Sequence, residues 1–221
     1  MSLLQTIEKE TGANPTVAII WMHGLGADAN DFVPMLSELD LAGLPAIRFI
    51  FPNADTMPVT VNGGYVMRSW YDIVHTDLGR QEDEAGLRAS QLKVEALMAR
   101  ENARGIPNER IILAGFSQGC AMTLQTGLRQ KTKLAGMLCL SGYLPIVAQA
   151  AAEHTPDSKA TPIFLAHGRM DPVVPIARAS ASRDQLVQWG YNVEWHEYPM
   201  QHSLCQQEVN DISAWLKRVL A

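Results

Sequence analysis

The sequence contains no apolar run approaching the roughly 18 residues that a membrane-spanning helix needs. It contains no dense basic tract either. Lys and Arg number 18 against 23 Asp and Glu, a formal net charge of −5. A mildly acidic chain of this kind is a poor match for nucleic acid, whose phosphates call for clustered cations. Cysteine is scarce, with Cys120, Cys139 and Cys205 widely spaced and no CxxC pair. That argues against a disulfide framework and a thiolate metal site, and the thiols read as small buried hydrophobes. The opening MSLLQTIEKE has no basic stretch followed by an apolar one, so no secretory signal is expected. Together these features point to a reduced, cytoplasmic setting.

What is present is an ordinary globular composition, 47% hydrophobic and 19% charged in 221 residues. No repeat, low-complexity tract or linker interrupts it, so one domain over 1–221 is expected. Apolar, β-branched runs at 16–22, 46–51, 110–114, 134–140 and 162–166 read as strands covered on both faces. The stretch 192–198 (NVEWHEY) alternates instead, as a strand near the sheet edge does. Between the strands, 80–104, 118–130, 176–189 and 208–220 read as helices. Leu87, Val94, Leu97 and Met98 share one face of the first, and Gly105 and Pro107 stop it. Repeated alternation of strand and helix predicts a mostly parallel sheet with helices on both faces. One segment, 53–79, breaks the rhythm and reads as a binding loop or a surface insertion.

Chemistry gathers around Gly115-Phe116-Ser117-Gln118-Gly119, a G-x-S-x-G pattern. The predicted strand 110–114 runs in and a helix runs out. A nucleophile elbow requires that context, because the sharp turn lifts the serine hydroxyl above the sheet. Small neighbours (Gly115, Gly119, Cys120, Ala121) allow the crowding, and the helix N-terminus adds partial positive charge beneath the site.

A serine hydroxyl needs a base, and in such folds the order is Ser, then acid, then His. That order removes His23 and His75 and leaves His154, His167, His196 and His202. His154 precedes a strand, at the wrong edge of a parallel sheet. His167 ends a strand, but no strand-end acid lies between it and Ser117. His196 lies inside a strand. His202 follows one, on the loop before the last helix. The acid lies between Ser117 and His202, and Asp171 stands just past strand 162–166, whereas Asp157 precedes that strand and Asp184 falls on a helix.

An oxyanion hole takes two backbone N–H donors. Gln118, after the nucleophile, offers one. The glycine-rich loop 23–28 (HGLGAD) offers the other. Its His-Gly start lacks a second ligand nearby, and it lacks the ending of a phosphate loop, so neither metal nor cofactor is expected.

The segments HGLGAD at 23–28, PVTVNGGYVMRSWYDI at 58–73, GFSQGC at 115–120 and HGRMDPVVP at 167–175 closely resemble the bacterial carboxylesterase and acyl-protein thioesterase family, also described as phospholipase/carboxylesterase. The resemblance spans nearly the whole chain, with the motifs in family order. It implies an α/β-hydrolase fold without a large cap domain. It places the nucleophile on Ser117, the acid on Asp171 and the base on His202. It puts the oxyanion hole on the Leu25 and Gln118 amides, and it makes 53–79 the lining of a hydrophobic acyl groove. Family members often carry Gly before the histidine, where this chain has Gln201. A positive φ there would cost about 1 kcal/mol or more.

These residues predict a carboxylesterase acting on small or medium acyl chains through an acyl-enzyme. An acyl-protein thioesterase or lysophospholipase would use the same triad. A homodimer is a further expectation, since Tyr65 and Trp70 of the excursion read as exposed aromatics suited to a groove or a dimer contact.

Overall fold

The computed structural model describes residues 3–75 and 82–221. Its framework is a seven-stranded sheet in the order β1-β3-β2-β6-β7-β8-β9. The strands are β1 (Thr6–Glu10), β2 (Val17–Met22), β3 (Ile47–Pro52), β6 (Ile111–Phe116), β7 (Gly136–Leu140), β8 (Ile163–Gly168) and β9 (Val193–Tyr198). Every neighbouring pair is parallel except β1 with β3. The alternating 192–198 stretch forms β9 at one edge, as its pattern predicts.

The central strands are buried on both faces, and alternate residues face two cores. Ala18, Ile20, Met22, Leu113, Cys139 and Leu165 pack with helices α1 (Glu84–Ala103), α2 (Gln118–Gly127), α3 (Val147–Glu153) and α4 (Ile176–Gln188). Val17, Ile19, Trp21, Ile112, Leu138 and Phe164 pack with α5 (Gln206–Leu220) and with Phe32 and Leu39. The protein therefore has the α/β-hydrolase fold, with helices on both faces of a mostly parallel sheet. Gly105, at φ +90°, ends α1 in a backbone state that side chains resist. The predicted start of that helix at 80–81, and the end of the excursion at 76–79, lie outside the described residues.

Three elements depart from the pattern reading. β1 is a short charged edge strand whose ladder comes from β3. The excursion contains a two-stranded hairpin, β4 (Thr56–Val59) with β5 (Tyr65–Arg68), turned by Gly63 and Gly64 at positive φ. The predicted loop carrying His154 begins with α3, an alanine-rich helix of seven residues, too short for periodicity to reveal. Among the described residues no helix is long and apolar enough to cross a membrane.

Candidate active site

Ser117 stands where β6 ends and α2 begins, at φ 56° and ψ −115°. A non-glycine residue held there stores strain, of order 1–3 kcal/mol. Its neighbours hold it in place. The Ser117 amide donates to the Leu140 carbonyl at 2.9 Å, and its carbonyl accepts from Ala121 at 3.2 Å. Small residues are obligatory around the turn. A Cβ on Gly115 would lie 2.1 Å from the Gly119 backbone, and one on Gly119 would lie 2.1 Å from the Met22 carbonyl oxygen. The elbow is thus wedged between its own helix and β2.

Asp171 follows β8 and is nearly buried. Its Oδ1 accepts the amides of Val173 at 2.8 Å and Val174 at 2.9 Å, a local turn made by the carboxylate itself. Its Oδ2 lies 2.7 Å from Nδ1 of His202. His202 sits on the loop between β9 and α5, half-buried, its ring 4.7 Å from that of Phe116. The structure therefore joins Asp171 to His202 and sets the imidazole against the residue before Ser117. Among the described residues no hydrogen bond links the Ser117 hydroxyl to His202. In unliganded enzymes such contacts are commonly long and tighten when substrate binds. Gln201 is not among the residues at positive φ, so the loop holds it without that strain.

Leu25, Ser117 and Gln118 line one cavity of about 350 Å³, with Val61, Asn62, Tyr71, Ile73, Tyr143 and residues 172–174. The Leu25 amide has no protein acceptor among the described residues. The Gln118 amide is at the first position of α2, where helical N–H groups lack internal partners. Both predicted oxyanion donors thus border the space above Ser117.

The excursion supplies one wall of that cavity. One part of its reading needs correction. Trp70 is not an exposed aromatic: it is 2% exposed, and its indole N–H donates to the His23 carbonyl at 2.9 Å. That acceptor lies 47 positions away in the chain, out of reach of local pattern. Tyr65 is indeed exposed.

His23 fixes the opposite loop. Its Nδ1–H donates to the Gly24 carbonyl at 2.7 Å, and its Nε2 accepts the Ala54 amide at 3.0 Å. Burial lowers its pKa, so the neutral ring holds that tautomer. Gln118 was expected to act only through its backbone. Its side chain also accepts from Trp70 N at 3.1 Å and Ser69 Oγ at 3.2 Å, and donates to the Tyr71 carbonyl at 2.9 Å. Its occurrence between serine and glycine in GFSQG gives no sign of this. Tyr71 and Tyr143 share a hydroxyl contact of 2.9 Å, and the Arg178 guanidinium lies 3.6 Å over the Tyr143 ring. Burial raises the pKa of both phenols, so both remain protonated.

The remaining histidines have other surroundings. His154 stacks on Trp189 with centroids 5.0 Å apart. His196 contacts Glu194 at 3.0 Å.

Comparison with known proteins places the chain in a family. A profile of the Phospholipase/Carboxylesterase family matches residues 4–220. Acyl-protein thioesterase 1 of Mycosarcoma maydis is 41% identical over 239 aligned positions, covering 100% of this chain and 99% of the relative. Acyl-protein thioesterase 1 of Neurospora crassa is also 41% identical, over 92% of this chain and 87% of that protein. Both are fungal, so the likeness is not confined to bacteria. Among solved structures, SOBER1 of Arabidopsis thaliana superposes with a TM-score of 0.88 at 32% identity, covering 93% of this chain and 99% of that one.

Proposed function

This chain belongs to the phospholipase/carboxylesterase family and is a serine hydrolase acting on esters, and within that family we propose that it releases apolar acyl groups from thioesters of S-acylated proteins through Ser117, His202 and Asp171. The observation that carries the mechanism is the 2.7 Å contact between Asp171 and His202, beside a serine held on a strained elbow. The full-length fungal relatives, both acyl-protein thioesterases, favour the thioester.

In this reading the His202 imidazole removes the proton of Ser117 as Oγ attacks the acyl carbonyl. Asp171 holds the tautomer with the proton on Nδ1 and stabilises the imidazolium. Charge developing on the carbonyl oxygen meets the Leu25 and Gln118 amides, aided by the N-terminus of α2. His202 then protonates the leaving sulfur or oxygen, and water clears the acyl-enzyme. The apolar cavity takes the acyl chain, and the leaving group faces outward, where a protein or a small alcohol fits equally.

A second reading is a carboxylesterase for small or medium acyl chains, favoured by the modest cavity of about 350 Å³. Comparing kcat/KM for an S-palmitoyl peptide, a short-chain ester and a lysophospholipid separates the readings. The thioester reading fails if the short ester exceeds the S-acyl peptide by tenfold or more. Ser117→Ala lowers kcat by several powers of ten on all three, and retained activity in that variant removes the mechanism altogether.

A further inference from the structure

The described mechanism leaves one titratable group unused at the centre of the site. His167 is the penultimate residue of β8 and is fully buried. It opens the HGRMD segment that also carries Asp171. Its Nε2 lies 2.8 Å from the Val174 carbonyl oxygen and 3.3 Å from Oδ2 of Asp171. A carbonyl only accepts, so Nε2 carries the proton. Among the described residues Nδ1 is buried with no protein partner. A second proton there would find no acceptor, and burial accordingly lowers the pKa of this ring. The charged and titratable groups around it are Asp171, His202 and Glu197.

The contacts form a closed circuit. Nε2–H of His167 holds the Val174 carbonyl. The Val174 amide holds Oδ1 of Asp171. Oδ2 of Asp171 holds Nδ1 of His202 while facing Nε2 of His167. The carboxylate is therefore pinned on one oxygen by a turn that His167 locks, and flanked on the other by the same imidazole. A carboxylate that must aim one oxygen at a histidine on a separate loop gains little from its own rotamer preference, and the surrounding contacts set its direction.

We propose that His167 is a positioning residue for the reaction, an Nε2–H donor that locks the 171–174 turn and so aims Asp171 at His202. This rests on the triad reading given above. The choice of nitrogen makes it testable. A glutamine side chain can place an N–H where Nε2 stands, an asparagine can place one only near Nδ1, and leucine places none.

The experiment compares His167→Gln, His167→Asn and His167→Leu with the parent chain and with Ser117→Ala. The readouts are kcat, KM, the acid limb of the kcat/KM–pH profile, and the melting temperature. Leucine and asparagine are expected to lower kcat at least tenfold with KM within threefold, and to displace the acid limb. Glutamine is expected to recover most of the lost kcat and return the limb toward its original position. Unchanged kcat in the leucine variant overturns the proposal. So does equal loss in all three variants in step with melting temperature, which marks a packing role alone. Full activity in Ser117→Ala would instead sink the triad reading, so the two failures are distinguishable.

Discussion

The Gln118 carboxamide donates to the Tyr71 carbonyl at 2.9 Å, tying the first residue after the nucleophile to the cavity wall. The same side chain accepts the Trp70 amide. In the proposed mechanism one residue thus offers its backbone to the anion and its side chain to the wall of the cavity. The Tyr71 carbonyl also accepts Ser69 Oγ, so removing the carboxamide strands one buried group, the Trp70 N–H.

Gln118→Ala is therefore expected to cost about 1–3 kcal/mol for the buried group left unpaired. At this chain length that is a fall in Tm of roughly 2–4 °C per kcal/mol. The loss of kcat/KM should be larger for long acyl chains than for acetyl esters, because the Tyr71 wall loosens. Thermal melts and a chain-length series check both. Equal loss at every chain length would assign Gln118 to the elbow alone.

The elbow backbone gives a second prediction. Ser117 occupies φ 56° as a non-glycine residue. Ser117→Gly relieves about 1–3 kcal/mol of strain and returns about 0.5–1 kcal/mol as added freedom in the unfolded chain. The net expectation is an inactive protein more stable by about 1 kcal/mol, with Ser117→Ala inactive but not stabilised. Chemical denaturation of the two variants decides it. A glycine variant no more stable than alanine would show that the turn is relaxed.

Glu208 gives the pH dependence. It is fully buried on α5, next to the His202 loop, and among the described residues neither carboxyl oxygen makes a close hydrogen bond, the Cys205 amide acting as a weak partner. Burial pushes its pKa up to about 8 from an ordinary value near 4.5, with the Cys205 amide offsetting only part of that effect. The folded form keeps its proton where the unfolded form has lost it. The stabilising contribution is whole below about pH 4.5 and is lost progressively as pH rises to about 8, by about 1.4 kcal/mol per pH unit. Glu208→Gln should melt near the parent at pH 5 and well above it at pH 8. Parallel melting curves at both pH values would contradict a protonated Glu208.

The sheet and the nucleophile were legible because each rests on local pattern. The apolar runs that became β2, β3, β6, β7 and β8 are buried on both faces, and such strands need no partner to be recognised. G-x-S-x-G was convincing because the strand and helix around it were visible too. His202 and Asp171 were reached by asking which side chains lie at carboxyl ends of parallel strands. Burial set by distant partners stayed hidden. Trp70 reads as exposed until its acceptor on His23 is known. Glu101 on α1 is fully buried against Arg48 at 2.8 Å, a partner 53 positions away that helix periodicity does not reveal. His167 was set aside as a base, and its proximity to Asp171 is a fact of turn geometry that spacing does not carry.

The β4–β5 hairpin is more than a side wall. The Gly26 amide donates to the Arg68 carbonyl at 2.9 Å, so the last residue of β5 is tethered to the loop bearing Leu25. Val61 and Asn62, in the turn of that hairpin, line the cavity, so this wall and the loop bearing Leu25 are braced together. In the proposed mechanism a substrate that shifts this turn shifts the Leu25 amide with it, and the penalty is expected in turnover before occupancy.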